Sequence, residues 1–384
     1  WPQPRLKTWR SCAKPPSADL SSYPLYIGIM SGTSLDGADA ILADLSGALP
    51  RVIAFAHEDY SPALRAELLA LNQSGDDEIA RSAMAARQLA HVYAQASRSA
   101  MRSAGVNPAQ IAAIGCHGQT VRHRPDLGFT VQLNQPALLA ELTGCNIVAD
   151  FRSRDVAAGG QGAPLVPAFH DGVFRNADEI RAICNVGGIS NLTLLQPGSP
   201  VLGFDCGPGN CLMDGWIGRH QGRPFDDGGT WAGQGQILPA LASRLKAETW
   251  FGVAPPKSTG RDLFNVAWLD NHLSGGEQPI DVQATLMDLT VWSILDHLAR
   301  YAPTATRLLV CGGGACNLTL MQRLSEHFSC GTVESTDAHG VPAQQVEALA
   351  FAWFAKRAVE RHPIDFTAIT GAHRVTPCGA VYPA

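Results

Sequence analysis

Three kinds of segment are missing from this 384-residue chain, and each absence excludes a class of protein. No apolar run approaches the ~20 residues that a membrane-spanning helix needs, so no membrane partner is expected. The ten cysteines contain no C-x-x-C pair, which excludes a zinc ribbon or a thioredoxin-type site. The net charge is −5 and Lys and Arg form no cluster outside the N-terminus. Nucleic acid is therefore not an expected partner, because phosphate backbones need clustered positive charge.

Two common nucleotide-binding signatures are also missing. No G-x-x-x-x-G-K-[ST] loop occurs, since the tripeptide Lys257-Ser258-Thr259 follows Pro256. No G-x-G-x-x-G follows the first predicted strand either. The chain is therefore expected to be neither a P-loop nucleotide hydrolase nor an ordinary dinucleotide-dependent enzyme.

The composition that remains is that of an ordinary globular protein, with 46% hydrophobic and 16% charged residues. The length suggests about two domains of roughly 150 residues each. Residues 1–22 are basic and proline-rich without periodicity, which predicts a disordered leader or an added tail, with a targeting segment as the alternative. Most cysteines lie in apolar strands or beside glycines, where reduced thiols act as small buried hydrophobes, so a cytoplasmic location is expected.

One supersecondary plan is predicted twice along the chain. Each occurrence begins with a meander of three short strands and continues with alternating helices and strands. The Gly/Pro-rich segment 157–167 is the best candidate boundary between them. The sequence therefore predicts two α/β domains, residues 23–157 with 362–384 and residues 158–361, facing each other across a cleft. The meander strands are expected at 26–30, 38–45 and 51–56, and at 182–186, 191–195 and 201–204; single helices are expected over 231–248 and 343–361.

The first of three glycine turns, MSGTSLDG, directly follows the first predicted strand. Gly32 and Gly37 permit positive φ and close approach, so several backbone N–H groups can point at one anion. Thr33 and Ser34 add hydroxyl donors. Asp36 would repel a phosphate unless a cation lies between them, as Mg²⁺ does in nucleotide sites. The alternative is a plain polar hairpin turn.

Two further turns have a similar composition. NVGGISN, which contains Gly187 and Gly188, ends the first strand of the second meander, and its alternative is again an ordinary turn. LLVCGGGACN places Gly312, Gly313 and Gly314 between a buried strand and a helix. A flat ligand could lie on that bare backbone, although tight packing of the strand against the helix would need the same glycines.

These turns belong to a larger set of motifs that resembles a known family. The order and spacing of the three turns are similar to the actin-like ATPase superfamily, which includes hexokinase and has one phosphate-binding hairpin per domain and a late glycine-rich adenosine motif. Six motifs occur in this order over about residues 24–384: MSGTSLDG, GCHGQT, ADFRSRDVAAGGQGAPLVP, NVGGISN, FDCGPGN and CGGGACN. With these motifs the chain looks like an anhydro-N-acetylmuramic acid kinase. Met30 departs from the superfamily, where an Asp usually ends the first strand; here Asp36 comes later.

The resemblance implies a fold, a reaction and ligands. The fold would be two actin-like (ribonuclease H-like) α/β domains with mixed five-stranded sheets flanked by helices. The reaction would be ATP-dependent phosphorylation of O6 of 1,6-anhydro-N-acetylmuramic acid, coupled to opening of the anhydro ring by water, in peptidoglycan recycling. ATP and Mg²⁺ would be required, with Asp36 at the metal, and a homodimer is expected. The implied ATP-binding residues are Gly32, Thr33, Ser34, Leu35, Asp36, Gly37, Ala38, Asp39, Gly187, Gly188, Gly312, Gly313, Gly314 and Asn317.

Asp205 is the candidate catalytic base. It follows an apolar strand and precedes the turn CGPGN, so its carboxylate can face a cleft and reach a water within about 3 Å. On the residues alone, a turn-forming or helix-capping Asp is the alternative. The matching Asp of the family's FDCGPGN motif has the catalytic role.

Four residues are candidates for binding the sugar. Gln119 and Thr120 belong to HGQT at the carboxyl end of a strand, where α/β proteins bind ligands, and the resemblance implies a sugar contact for Thr120. Arg154 is favoured for the lactyl carboxylate of the sugar because Arg binds carboxylates bidentately; a surface ion pair with Asp155 is the alternative. Glu347 on the closing helix is a weaker candidate, with a solvated helix residue as its alternative.

Three other functions stay open at this point. A different actin-like kinase would act on an open hexose. A sugar-sensing regulator would need a basic helix-turn-helix, which is not visible in the sequence. An ATP-driven chaperone would need a separate peptide-binding domain after the final strand. Formation of ADP that depends on sugar would distinguish a kinase from the last two.

Overall fold

The computed structural model describes residues 24–32 and 35–384. The expected leader over residues 1–22 and the hairpin residues Thr33 and Ser34 lie outside the described residues. Within the described part of the chain, no helix combines the length and apolarity that crossing a membrane requires.

Short strands alternate with helices along the whole chain. The strands are β1 Leu25–Met30, β2 Gly37–Asp44, β3 Arg51–Asp59, β4 Ile111–Cys116, β5 Gln119–Arg124, β6 Phe129–Leu133, β7 Ile147–Ala149, β8 Arg181–Val186, β9 Ile189–Leu195, β10 Leu202–Pro208, β11 Arg307–Cys311, β12 Thr332–Ser335 and β13 Ala380–Tyr382. The helices are α1 Pro62–Ala70, α2 Glu78–Ala104, α3 Pro136–Thr143, α4 Phe151–Ala157, α5 Val166–Phe174, α6 Cys211–Gln221, α7 Pro239–Lys246, α8 Val266–Asp270, α9 Pro279–Tyr301, α10 Leu318–His327, α11 Val346–Val359 and α12 Thr367–Thr370.

Two mixed sheets share one strand order and one set of strand directions. The first contains β3-β2-β1-β4-β7 and the second contains β10-β9-β8-β11-β12. In each sheet the first three strands in the chain form an antiparallel meander, and the next two run parallel to the first of them. The predicted repetition of one plan is therefore confirmed, and the fold is α/β with two mixed sheets flanked by helices.

Two details of the prediction are wrong. The first sheet is not five-stranded, because the three-residue strand β13 adds to its edge by pairing antiparallel with β7. The single helix expected over 231–248 is instead one turn over 232–234 followed by α7, which begins at Pro239. Proline lacks the N–H that a helix interior requires, so it begins a helix here rather than continuing one.

The two sheets share an inner core and each has an outer core. Along β1, Tyr26 contributes to the inner core and Ile27 to an outer one. Along β11, Leu309 contributes to the inner core and Leu308 to the other outer core, because successive side chains of a strand point to opposite faces of the sheet. The inner core is completed by α5 and α11. Because the lobes share this core, the division into residues 23–157 with 362–384 and residues 158–361 stays a prediction.

Helix α11 lies directly on the first sheet at two glycines. Gly28 of β1 and Gly115 of β4 are partners in register. A Cβ on Gly28 would lie 1.8 Å from the carbonyl oxygen of Ala348, and one on Gly115 would lie 2.0 Å from that of Phe351. Only bare backbone permits this approach, so the two glycines fix the position of α11 and of Glu347 in its first turn.

We expect Gly115→Ala to lower the free energy of unfolding by about 1–3 kcal/mol or more, because its methyl group would meet main-chain atoms that cannot rotate away. Urea unfolding of both variants measures the change. Gly47→Ala is the matched control, since the nearest atom to a Cβ there is the Leu49 carbonyl oxygen at 3.5 Å. Equal stability of the Gly115→Ala variant and the unsubstituted protein would contradict the close packing of α11.

Candidate active site

The second and third glycine turns meet at the carboxyl ends of β8 and β11. A Cβ on Gly314 would lie 2.3 Å from Cγ1 of Val186, and one on Gly312, whose φ is +79°, would lie 2.9 Å from the Val186 carbonyl oxygen. The tight packing considered as an alternative for the third turn is therefore present. It also leaves a surface of bare backbone, so packing and ligand binding are compatible there.

The second turn has N–H groups available for an anion. The Gly187 carbonyl accepts a hydrogen bond from the Asn210 N–H (2.8 Å), and the Gly188 carbonyl accepts from the N–H groups of Gly209 (2.9 Å) and Cys211 (3.1 Å). Within residues 24–32 and 35–384, the N–H groups of Gly187 and Gly188 donate to no acceptor. A turn with bound carbonyls and unused N–H groups is the arrangement of an anion-binding nest.

The first hairpin packs against β3 through a glycine. A Cβ on Gly37 would lie 2.4 Å from the Glu58 carbonyl oxygen, and Ala38 beside it is fully buried. Leu35 is buried with a φ of +54°, a conformation unusual for a residue with a side chain. Asp36 is exposed, and one of its oxygens accepts from the Gly37 N–H.

Two of the expected ATP-binding side chains have partners within the protein. Asp39 accepts from Nδ1 of His57 at 2.7 Å, and this hydrogen bond is the largest reason that the pKa of His57 rises to about 9. Asn317 is buried, and its Oδ1 accepts from the Leu320 N–H and so begins α10. Contacts of these two residues with ATP stay predictions.

Asp205 lies on β10 opposite Asn191, with an irregular register between it and Gly207. Its Oδ2 accepts from the Thr259 N–H at 2.9 Å, and its own N–H donates to the Lys257 carbonyl at 3.2 Å. Burial raises the pKa of Asp205 to about 6, although the Thr259 N–H and the charge of Lys257 oppose the rise. Such a carboxylate is ionised at neutral pH and is more basic than an exposed one, as a general base should be.

Lys257 fixes the segment that holds Asp205. Its Nζ lies 3.3 Å from the carbonyl oxygens of Trp250 and Phe251 and 4.1 Å from the centroid of the Trp250 ring. Burial lowers the pKa of Lys257 to about 8. In the sequence this lysine is part only of a tripeptide that does not complete a P-loop, and its position beside the candidate base Asp205 was not predicted. The one available signal was a lysine in a Pro/Gly-rich segment.

Gln119 and Thr120 begin the hairpin of β5 and β6. The Gln119 Nε2 donates to the Gly32 carbonyl at 3.2 Å, so this side chain supports the first glycine turn. The Thr120 hydroxyl accepts from the Gln132 Nε2 at 3.2 Å and still has its own proton to donate. Gln119 is buried whereas Thr120 is only partly buried, so the Thr120 hydroxyl is the better placed of the two to donate to a ligand.

Arg152 joins several of the expected sugar-binding segments and was missed as a candidate. Its Nε donates to Nε2 of His117 and its Nη1 donates to the Gly162 carbonyl, both at 2.8 Å. Burial and the Arg152 charge hold the pKa of His117 well below its usual value, so the ring is neutral and can accept. Burial raises the pKa of Glu347, and Arg152 opposes that rise. Arg152 therefore helps Glu347 stay ionised.

Arg154 and Asp155 do not form the ion pair that was the alternative for them. Asp155 is buried and accepts from the Thr370 hydroxyl (2.8 Å) and from the Gly162 N–H (2.7 Å). Arg154 is exposed on α4, and no ion pair within the described part of the chain includes it. Its guanidinium is therefore available to an anion.

Glu347 is partly buried, so its alternative as a fully solvated residue is wrong. Burial has the largest effect on its pKa, which it raises; of the charges of the first lobe, Arg152 lowers this pKa and Asp39 raises it. Burial and Glu347 in turn raise the pKa of Cys311, which ends β11 in the second lobe. The first turn of α11 thus lies between the carboxyl ends of the central strands of both sheets. Two lobes that share the order of five strands, with glycine turns and a partly buried carboxylate at that junction, define the class as a two-lobed α/β protein with a candidate ligand site between the lobes.

Comparison with known proteins gives the family. The family model for anhydro-N-acetylmuramic acid kinase matches residues 24–384. The relative from Cupriavidus metallidurans named anhydro-N-acetylmuramic acid kinase is 52% identical in a 377-residue alignment that covers 95% of this chain and 99% of the relative. The relative from Bordetella petrii, with the same name, is 55% identical in a 366-residue alignment that covers 94% of this chain and 96% of the relative. The chain belongs to the anhydro-N-acetylmuramic acid kinase family and is a phosphotransferase with an alcohol group as acceptor.

Among solved structures, a ROK family glucokinase from Streptomyces griseus in complex with glucose and AMPPNP is 13% identical. The match covers 87% of this chain and 99% of that one, with a TM-score of 0.41. The similarity is too small to carry a conclusion, and the topology stands on the strand order alone.

The pH dependence of turnover should report the ionisation of Asp205. Its raised pKa leaves the carboxylate protonated below about pH 6 and ionised above it, so a catalytic base at this position predicts that kcat/KM for the sugar rises with pH through about 6. A pH series with a coupled ADP assay measures this, with coupling enzymes in excess at every pH. An acid limb near pH 4, the range of an exposed Asp, would contradict the buried position of the base.

Lys257→Met should reduce kcat by about 10²-fold, because the segment that positions Asp205 loses its buried attachment. It should also move the acid limb of the pH profile above 6, since Lys257 lowers the pKa of Asp205. Lys246→Met is the matched control: Lys246 also lies over a tryptophan, Trp292, at 5.4 Å, in the same lobe. An unmoved limb in the Lys257 variant would show that Lys257 does not act on the base.

Proposed function

We propose that this protein uses ATP to phosphorylate O6 of 1,6-anhydro-N-acetylmuramic acid while water opens the anhydro bridge. Asp205 takes a proton from water as the water oxygen bonds to C1. The bond between C1 and O6 breaks, and O6 takes the γ-phosphoryl group from ATP. The products are N-acetylmuramic acid 6-phosphate and ADP. Membership in the anhydro-N-acetylmuramic acid kinase family supports this reaction.

The position of Asp205 is the observation that carries the proposal. Its carboxylate, with a pKa near 6, lies on β10. Strand β8 belongs to the same sheet, and the turn that follows β8 carries the unused N–H groups of Gly187 and Gly188. A base for water and a nest for phosphate therefore belong to one lobe and one edge of its sheet. Arg152 of the first lobe and Glu347 of α11 add charged groups at the same junction.

The roles of the remaining residues divide by lobe. The Thr120 hydroxyl of the first lobe and Glu347 of α11 would bind sugar hydroxyls, and Gln119 would hold the first glycine turn. Arg154, exposed and outside any ion pair of the described residues, suits the lactyl carboxylate of the sugar. The glycine turns would bind the nucleotide through residues Gly32–Asp39, Gly187, Gly188, Gly312–Gly314 and Asn317.

Asp36 is the proposed ligand for Mg²⁺. The described residues contain no cluster of three His, Cys, Asp or Glu side chains that could hold a metal ion. A site with a single exposed carboxylate fits Mg²⁺, which commonly binds one or two protein carboxylates together with substrate phosphates. When bound, the ion would neutralise phosphate charge beside the first hairpin.

We also propose a cytoplasmic location and a homodimer. The nine cysteines in the described part of the chain are free, and most are buried, as expected of a protein in a reducing compartment. The homodimer rests on the general frequency of two-fold assemblies. Light scattering coupled to size-exclusion chromatography measures the mass of the assembly.

Turnover in ¹⁸O-water tests the reaction directly. Mass spectrometry of the product from anhydro sugar and ATP should find ¹⁸O at C1, phosphate at O6 and no label in the phosphate. The control is product made in ordinary water and then transferred to labelled water, which measures exchange at the anomeric carbon.

Asp205→Asn should reduce turnover by about 10²–10⁴-fold while ATP and sugar still bind, with the exposed Asp178→Asn as control. Phosphorylation of a reducing hexose alone would show that the protein is a different sugar kinase.

A further inference from the structure

The three glycine turns lack a positively charged side chain. Residues 30–39, 185–191 and 311–317 contain no Lys or Arg. Backbone N–H groups bind phosphate through dipoles, but hydrogen bonds from a charged donor are roughly twice as strong. A site for a nucleoside triphosphate would therefore be expected to recruit a cation from elsewhere in the chain.

Arg261 is the cation that lies against the second turn. The position that a Cβ on Gly188 would occupy is 3.8 Å from Nη2 of Arg261 and 3.9 Å from its Nε. The same charge acts on the start of α6, where it opposes the rise that burial causes in the pKa of Cys211 and of Asp214. The guanidinium thus lies beside the free N–H groups of Gly187 and Gly188.

The side chain of Arg261 is uncommitted although its backbone is fixed. Across residues 24–32 and 35–384, its guanidinium makes no hydrogen bond, and no carboxylate oxygen, including those of Asp214, comes within 4.0 Å of it. The chain around it is held by the Thr259 N–H on Asp205 and by the Arg261 carbonyl, which accepts from Nδ2 of Asn265 at 3.0 Å. An exposed arginine on a fixed backbone, beside an unfilled anion nest, has the properties of a phosphate ligand.

We propose that Arg261 binds the terminal phosphates of the nucleoside triphosphate at the second glycine turn. The proposal deepens the function given above and rests on it. Arg261 lies two residues after Thr259, whose N–H holds the base, and the phosphoryl group that is transferred must lie close to that base. The phosphates nearest to Arg261 are therefore the β- and γ-phosphates. The arginine would gain most contact with the γ-phosphate as its negative charge redistributes during transfer.

Nucleotide binding separates this role from a structural one. In Arg261→Gln, calorimetry should show at least a tenfold loss of affinity for AMPPNP, a smaller loss for ADP and no change for adenosine, and kcat should fall by about 10²-fold or more. Arg261→Lys keeps the charge without the planar fork and should recover part of both. Arg219→Gln is the matched control, because Arg219 is an arginine of the same lobe that is paired with Asp270 at the surface.

Two outcomes would overturn the proposal. One is AMPPNP affinity and kcat within twofold of the unsubstituted protein. The other is evidence that Arg261 serves the fold alone. That evidence would be an equal loss of affinity for AMPPNP and adenosine, or a fall in melting temperature large enough to account for the lost affinity. The binding measurements need no sugar. If the unsubstituted protein binds AMPPNP but does not phosphorylate the anhydro sugar, the proposed function fails while the test of Arg261 still stands.

Discussion

The contact of α11 with bare backbone in β1 and β4 determines where the two lobes meet. Because Gly28 and Gly115 have no side chains, the backbone of the helix packs directly against the backbone of the first sheet. At the other side, the Ala343 carbonyl just before α11 accepts from the Gly312 N–H of the third glycine turn. One helix is therefore fixed to a lobe at each side, and Glu347 in its first turn is placed at the junction. A shift of this helix would separate the candidate sugar-binding residues from the candidate nucleotide-binding turns.

Several charged side chains are partly buried where the two lobes meet, and neighbouring opposite charges counteract the effect of burial on their pKa values. Burial raises the pKa of Asp205 and of Glu347 and lowers that of Lys257. Lys257 opposes the change at Asp205, and Arg152 opposes the change at Glu347. Each carboxylate thus has a nearby cation that favours its ionised form, and neither forms a direct ion pair that would occupy its oxygens. Free carboxylate oxygens are what a base and a hydroxyl-binding group require.

Local sequence patterns were sufficient to predict the repeated strand meander and to single out Asp205. Alternating strands and glycine turns predicted the repeated meander, and a motif predicted Asp205 as the base, a role that still awaits test. The three-residue strand β13 was missed because it is too short to carry a period and depends on β7 for its pairing. Arg152, Lys257 and Arg261 were missed for another reason: their partners are distant in sequence. Arg152 contacts His117 35 residues away, and the segment of Lys257 meets Asp205 across 54 residues.

A crystal structure with 1,6-anhydro-N-acetylmuramic acid and a nonhydrolysable ATP analogue tests the central claim, that one junction unites groups from both lobes. We expect a single sugar molecule to contact Thr120 of the first lobe while a water beside its C1 lies within about 3 Å of the Asp205 carboxylate of the second. The triphosphate should lie along the glycine turns with its γ-phosphate toward O6. A sugar bound to one lobe alone, with Asp205 out of reach of any water at C1, would contradict the account.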